Sequence, residues 1–347
     1  MSRSIDQKRP ETRLLGWANR LGRVLAPYSS APTHACALGE GMTTLGDYLG
    51  AQGYGSAFQE DHLLPQAAAI WSVPCAAIRD FPAEAFIRFC ENHGLLKVFG
   101  RPLWRTVEGG SRAYVERMTS GFDDRIRKGA PVRHVVRTQQ GVIVRDAQGH
   151  GTRHDHVVIA AHADQALAML AQPTPEERRL LGAFRYTRNH AVLHTDPGLM
   201  PRRRRVWSSW NYLGRRDSPG SERELCVTYW MNKLQPLDDE RELFVTLNPV
   251  RPPAPGSILR SEIYEHPLFD AAALAAQRRL WSLQGQGGVW FCGAHFGSGF
   301  HEDGLQAGLA VAEALGGVRR PWRIENESGR IHLDGATAGP PTLERAA

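Results

Sequence analysis

Close to its carboxyl end the chain gathers groups that can move a proton around a glycine-rich loop: Gly293-Ala-His-Phe-Gly-Ser-Gly-Phe-His-Glu-Asp-Gly304. Imidazole and carboxylate side chains exchange protons in the range where enzymes work, so His301 and Glu302 are candidates for acid–base chemistry. The plainer alternative is a loop histidine that satisfies backbone groups. His295, His301 and Glu302 do not read as a metal site, because no H-x-x-x-H spacing or further carboxylate supports one. No Ser-His-Asp or Cys-His pattern with its usual context occurs anywhere in the chain.

These groups need elements to position them. A short apolar run from Val289, bounded by Gly287-Gly288 and Gly293, reads as a buried strand. The glycine loop follows. Asp303 then stands where an N-cap would, ahead of an apolar helix from Gly304 to Leu315 that Gly316-Gly317 closes. Gly304, Ala307 and Gly308 keep its first two turns small, so a flat ligand or another backbone can come close. The free N–H groups and positive dipole end of such a helix suit an electron-rich acceptor. Strand, loop and small-faced helix start together make a cradle.

This segment resembles the C-terminal flavin-binding motif of the FAD-dependent amine oxidase and phytoene desaturase superfamily. From about Thr43 to Trp322 the chain is similar to a bacterial branch of flavin-containing amine oxidoreductases known as predicted NAD/FAD-binding proteins. The carrying motifs are Leu64-Pro-Gln-Ala-Ala-Ala-Ile-Trp-Ser72, Phe89-Cys-Glu-Asn-His-Gly-Leu95, Trp104-Arg-Thr-Val-Glu-Gly-Gly-Ser111, Ala183-Phe-Arg-Tyr186, Val192-Leu-His-Thr-Asp-Pro197, Tyr229-Trp-Met-Asn-Lys-Leu-Gln235 and Gly299-Phe-His-Glu-Asp-Gly304. Flavoproteins of this kind open with a strand, a G-x-G-x-x-G turn and a helix. This chain opens Met1-Ser-Arg-Ser-Ile-Asp-Gln-Lys-Arg-Pro10 and shows no such fingerprint later.

The resemblance implies FAD as cofactor. It places the Gly109-Gly110 turn near the flavin, backbone near Val135 on the adenine, and Gly293 and Ala294 in the cradle. Amides of Gly304, Leu305 or Gln306 would face the flavin pyrimidine oxygen and stabilise the charge that develops on reduction. His301 or Glu302 would take a proton beside the ring. Many relatives carry an acid after the Gly of this motif to hold the ribityl chain; here Ala294 follows Gly293. Lys233 invites comparison with the flavin-proximal lysine of amine oxidases, but it stands among Asn232 and Gln235 and reads as a solvated lysine. The implied fold is α/β in the mixed α+β sense: the two-domain amine-oxidase flavoprotein fold, truncated at its N-terminus. Residues 1–100 would form the helical part of the substrate or cap domain, 101–175 a segment of the FAD domain, and 176–282 a substrate domain with a mostly antiparallel sheet. Residues 283–325 would form the C-terminal FAD motif and 326–347 a disordered tail.

Composition narrows the remaining classes. At 347 residues, 42% hydrophobic and 22% charged, the chain has the make-up of an ordinary soluble globular protein with room for two domains. A net charge of +6 invites a nucleic-acid reading, yet the basic residues are scattered. The one dense run, Arg202-Arg-Arg-Arg205, reads as a solvated turn, and no nucleic-acid partner is expected. Five cysteines (Cys36, Cys75, Cys90, Cys226, Cys292) lack paired spacing and suggest buried thiols in a reducing compartment. No apolar stretch reaches the roughly 18 residues of a membrane span, and Arg20 and Arg23 break the one candidate for a signal peptide. A cytoplasmic location is the expectation.

Periodicity fills in the order of elements. Leu14, Ala18, Leu21 and Leu25 share a helical face, with Arg13, Arg20 and Arg23 among them. Such a helix packs on a core or lies on a membrane surface. Residues 27–41 read as a connector, and helices fill most of the stretch from Thr43 to Asn92. Trp71, Phe81, Phe86 and Phe89 are expected in the core. A short strand is expected at Trp104–Val107, then strands at Val132–Arg137, Val142–Asp146 and Val157–Ala161. Thr174-Pro-Glu-Glu177 is a helix-capping sequence. Strands follow at Asn189–His194, Val206–Trp210, Leu225–Trp230, Phe244–Leu247 and Ile258–Tyr264. Three functions fit: a flavin oxidoreductase acting on a C–N or C–C bond of a hydrophobic substrate; a non-catalytic fragment or subunit that needs a partner bearing a Rossmann unit; and a protein that binds lipid at a membrane surface.

Overall fold

The computed structural model describes residues 43–71, 73–93, 95, 103, 105–215, 224–237, 240–324 and 327–333. The amphipathic segment 11–26 and the connector 27–41 lie outside the described residues.

A block of short helices comes first: α1 (Leu45–Ala51), α2 (Leu64–Trp71), α3 (Cys75–Arg79) and α4 (Ala83–Asn92). The hydroxyl of Thr44 accepts the Asp47 N–H at 3.1 Å and caps α1. A π-helical turn, Gln59–Leu63, leads into α2. Trp71 is the centre of this block, with ring centroids of Phe89 at 4.6 Å, Phe81 at 5.0 Å and Phe86 at 6.1 Å. All four side chains are buried, as expected of core. Each such burial contributes about 1.5–3 kcal/mol, so the aromatic knot fixes the block.

Helix α5 (Gly110–Thr119) precedes the three-stranded antiparallel sheet β1 (Val132–Thr138), β2 (Gly141–Asp146) and β3 (Gly151–His154). Strand β3 is absent from the sequence expectation because Gly-Thr-Arg-His is wholly exposed and has no apolar period to reveal it. Residues 105–107 form no strand, contrary to expectation. Strand β4 (Val157–Ile159) leaves this sheet and pairs in parallel with β10 (Val289–Phe291). Helices α6 (Ala163–Met169) and α7 (Pro175–Leu181) follow. Helix α7 carries the expected capping box: Thr174 Oγ1 accepts the Glu177 N–H, and Glu177 accepts the Thr174 N–H at 2.8 Å. Glu177 is fully buried and also pairs with Arg137 of β1, tying the small sheet to α7.

The largest sheet is antiparallel, in the order β6-β7-β8-β5-β9, with β5 (Arg185–His194), β6 (Trp210–Arg215), β7 (Glu224–Trp230), β8 (Phe244–Leu247) and β9 (Ile258–Leu268). Val206–Trp210 is not a strand. A 3₁₀ turn at Arg204–Val206 occupies its first residue, and β6 begins only at Trp210. The turn is held by cation–π contact of Arg204 over Trp207 at 4.8 Å and by the Trp207 indole, which donates to Pro201 O at 2.7 Å. Strand β9 runs on through Pro267, which it tolerates as an edge strand. Under the sheet, buried His194 accepts the Asp196 N–H on Nδ1, and its Nε2 meets Thr246 Oγ1 at 2.7 Å. Thr246 continues to Thr228, so every member of this buried polar row has a partner. Helix α2 packs against β7 and β9, and Tyr212 Oη donates to Asp61 O at 2.9 Å, so the helical block covers one face of the sheet. Helices α8 (Ala271–Gln277) and α9 (His301–Ala314) flank β10.

Candidate functional site

All three residues of β10 are buried, and the Cys292 N–H donates to Ile159 O, extending the parallel pair with β4. Both chains therefore leave the pair at the same end, the carboxyl end where open α/β sheets take ligands. At Gly293 φ is +150°, and a Cβ there would meet the His295 ring at 2.9 Å and Ala161 O at 3.4 Å. Only glycine fits. Ala294 O then accepts the N–H groups of Gly297 and Gly299, both at 3.1 Å. Buried Gln277 of α8 closes the loop from beneath, donating Nε2 to His295 O at 2.8 Å and Gly297 O at 2.6 Å.

The helix starts earlier than its sequence suggests. Phe300, not Asp303, is the N-cap, and α9 begins at His301. Asp303 lies in the first turn and caps by reaching back: its Oδ2 accepts the Phe300 N–H at 2.8 Å, while Oδ1 accepts Arg330 Nε at 2.7 Å. An Asp three residues into a helix makes this reciprocal bond as readily as an N-cap Asp makes the forward one. The Gly304 N–H accordingly donates to Phe300 O at 3.2 Å, and Leu305 and Gln306 follow inside the helix. The leading amides at the helix start belong to His301 and Glu302. Phe300 offers them no side-chain oxygen.

The two faces of this first turn differ. Asp303, Gln306 and Ala307 are buried. His301, Glu302 and Leu305 are exposed, and nothing stands within 4 Å of where a Cβ on Gly308 would be. A Cβ on Gly304 would touch Ala294 N at 3.6 Å, ordinary contact, so the loop lies directly against the helix here. Toward the open side comes α5: Tyr114 Oη lies 3.4 Å from His301 Nδ1, with the rings edge to face. The Gly109-Gly110 turn that begins α5 has φ of +79° and +72°, conformations in which glycine is the favoured residue. The structure thus brings the Gly-Gly turn's helix and the α9 start, 187 residues apart in sequence, to one place. Glu302 Oε1 accepts Gln306 Nε2 at 2.8 Å, so the two are engaged with each other. Val135 lies elsewhere, buried in β1, and its carbonyl already accepts the Ala171 N–H at 3.1 Å. Lys233 stands exposed over the Trp230 ring at 5.9 Å, on the turn after β7.

A second cluster escaped the sequence reading. His162 follows β4 as His295 follows β10. His162 stacks on Tyr186 with centroids 4.4 Å apart and planes within 11°. Tyr186 Oη accepts the Ala163 N–H at 2.9 Å, and burial pushes its phenol up to about 12. His295 is 4% exposed; burial, reinforced by the charge of His162, holds its pKa down at about 4. Burial also lowers His266 of β9, with His162 again adding to the shift. The signal in the sequence was a histidine within three residues of the end of each apolar strand run, His162 after Val157–Ala161 and His295 after Val289–Cys292. Among the described residues no group of three metal-ligating side chains gathers.

A parallel strand pair ending in a glycine loop and a small-faced helix, beside an antiparallel sheet under a helical block, is the frame of a flavin-dependent oxidoreductase. Residues 48–316 match the family model described as flavin containing amine oxidoreductase. The chain belongs to that family, and its cofactor is FAD. Among solved structures it is similar to a putrescine oxidase bound to putrescine (TM-score 0.56, 15% identity, covering 90% of this chain and 77% of that one). It is also similar to cyclohexylamine oxidase from Brevibacterium oxydans IH-35A (TM-score 0.54, 15% identity, 90% and 77%). A third is a CLA-producing fatty acid isomerase from P. acnes (TM-score 0.51, 13% identity, 84% and 72%). At these identities the likeness is one of fold. Direct comparison with curated proteins gives no match. Among the described residues no helix is long and apolar enough to cross a membrane.

Proposed function

We propose that the chain removes a hydride equivalent from a C–N or C–C bond of a hydrophobic substrate, with FAD seated between the Gly109-Gly110 turn and the start of α9. The observation that supports this reading is the approach of Tyr114 to His301, which brings the helix following the Gly109-Gly110 turn up to the start of α9. Bound FAD supplies the two-electron acceptor. Gly293 and Ala294 would form the floor of the cradle. The amides of His301 and Glu302, at the positive end of a fourteen-residue helix, are better placed than those of Gly304, Leu305 or Gln306 to meet negative charge on the ring. His301, exposed and held by Tyr114, is the group best placed to take a proton; Glu302 is bonded to Gln306 and orients the turn.

An apolar substrate is supported by the covered sheet face. Trp210 and Tyr229 meet edge to face at 5.4 Å on it, and Trp210 stays 45% exposed. A cavity of about 70 Å³ lies in the helical block above, lined by Leu45, Leu49, Leu63, Ile70 and Phe86 among others. The solved structures of similar fold include a fatty acid isomerase, a putrescine oxidase and a cyclohexylamine oxidase, and a substrate with an apolar carbon skeleton suits such a face.

A second reading has its own observation. Helix α5 has no buried residue and exposes Val115 and Met118, with Phe122 exposed just after it, while Val158 of the two-stranded β4–β10 pair is 41% exposed. These surfaces fit a chain that completes its FAD site with a dinucleotide-binding unit from outside the described residues. Titration of the purified protein with FAD, followed by quenching of flavin fluorescence, separates the readings. Weak binding that tightens when such a unit is supplied supports the second reading; a tight stoichiometric complex of the chain alone supports the first. No binding in either case would refute both.

A further inference from the structure

We propose that Arg330, from the stretch after α9, is a positioning residue that sets the geometry of the cradle through Asp303. Residues 326–347 read from composition as a disordered tail, yet 327–333 lie folded against the first turn of α9. Ile331 is 7% exposed within the core, and the Ile331 N–H donates to Ser328 O at 3.1 Å, forming a turn. Arg320, buried against Glu313, donates to Glu327 O at 3.1 Å and anchors the approach. From this turn the Arg330 N–H donates to Gln306 Oε1 at 3.1 Å and its guanidinium Nε to Asp303 Oδ1 at 2.7 Å.

The side chain it meets is the one that shapes the site. Asp303 is 0% exposed, and a carboxylate removed from water needs a cation or hydrogen bonds to stay ionised. One oxygen takes Arg330, and the other holds the N–H of Phe300, the residue that ends the glycine loop. The carboxyl group packs on Gly297, where any Cβ would collide with it. Phe300 in turn stacks on Phe89 of α4 at 5.3 Å, so the helical block is tied to the same turn. Without Arg330 the buried carboxylate would lose its counter-charge and one of the two bonds that fix its direction. The Phe300 N–H would lose its acceptor, and the two leading amides of α9 would no longer be held in one direction.

This inference rests on the flavin reading only for its effect on FAD, so the test has one arm that needs no cofactor. Hydrogen exchange of the apo-protein reports the bonded Gly297, Gly299 and Phe300 amides directly. In Arg330→Met their protection should fall roughly tenfold relative to amides of β5, and Arg330→Lys should restore part of it. The second arm is FAD titration, with the dinucleotide-binding unit added where the wild type requires it. The dissociation constant should rise roughly tenfold in Arg330→Met, with a change in the flavin's visible absorbance envelope, and recover partly in Arg330→Lys. Asp303→Asn, whose single side-chain oxygen cannot serve both Phe300 and Arg330, is used if Arg330→Met does not fold, and should show the same losses. Unchanged exchange at Gly297, Gly299 and Phe300 in a folded Arg330→Met or Asp303→Asn protein overturns the proposal whatever the cofactor does. Loosened amides with an unchanged FAD constant overturn its link to the cofactor. A wild type that binds no FAD under any condition sinks the functional reading but leaves the first arm to decide this one.

Discussion

His295 makes a prediction that can be worked through in numbers. It sits buried, edge to face with Phe184 at 5.5 Å, and its pKa is held down at about 4 against an ordinary 6.5, because burial disfavours the charged ring and His162 adds to the penalty. A histidine whose folded pKa lies below its unfolded one binds more protons when the chain is unfolded. Its effect is therefore absent above the unfolded pKa, and stability is lost as pH falls from 6.5 toward 4. The full gap corresponds to about 3.4 kcal/mol, of which about 2 kcal/mol is gone by pH 5. His62, His93, His194 and His266 are lowered by burial too and push the same way, so the wild-type curve alone does not isolate His295. The variant His295→Phe does, since it keeps a flat ring against Phe184 and Phe296 but has nothing to protonate. Urea unfolding at pH 7.5 and pH 5 should show the wild type losing about 2 kcal/mol more than the variant over that interval. Equal losses would mean that the ring is hydrated or paired when the protein folds, and would refute the argument from burial.

Three further outcomes follow from single contacts. Gln277→Leu keeps the volume but leaves the carbonyls of His295 and Gly297 without their donor; it should cost about 2–4 kcal/mol by denaturant titration and weaken FAD binding through the loop. Glu177→Ala removes both the cap on Thr174 and the partner of Arg137, and should cost about 3 kcal/mol by the same measurement, while the conservative Thr174→Ser loses under 1 kcal/mol. Gly110→Ala has room for its Cβ but must hold φ at +72°; it should cost about 1 kcal/mol and raise the FAD dissociation constant, whereas Gly121→Ala, with no positive φ, should do neither.

What the chain announced about itself divides by physical cause. The capping box at Thr174, the apolar runs of β4 and β10, and the aromatic residues of the helical block were legible because each is a local pattern that its own neighbours satisfy. The helix boundary at α9 was misplaced by three residues because Asp303 can cap in either direction, and only the loop behind it decides which. Strand β3 is invisible in sequence because it is held by backbone bonds to β2 and buries nothing. The candidate site was legible in part. Glycines at 109, 110 and 293 carry their meaning in their own φ angles. The contacts that join them, Tyr114 to His301 and Arg330 to Asp303, span 187 and 27 residues and leave no periodic trace.

That division bears on where the chemistry can vary. The floor of the cradle is built from backbone that admits few substitutions: Gly293 against His295, and Gly297 against Asp303. The groups that would set reactivity, His301 and the exposed side of α9, rest on side-chain contacts to α5, a helix with no buried residue of its own. A helix with no buried residue takes part of its position from whatever packs on Val115 and Met118. The position of His301 would then follow that packing, and a proton transfer through His301 would be open to control from outside the cradle.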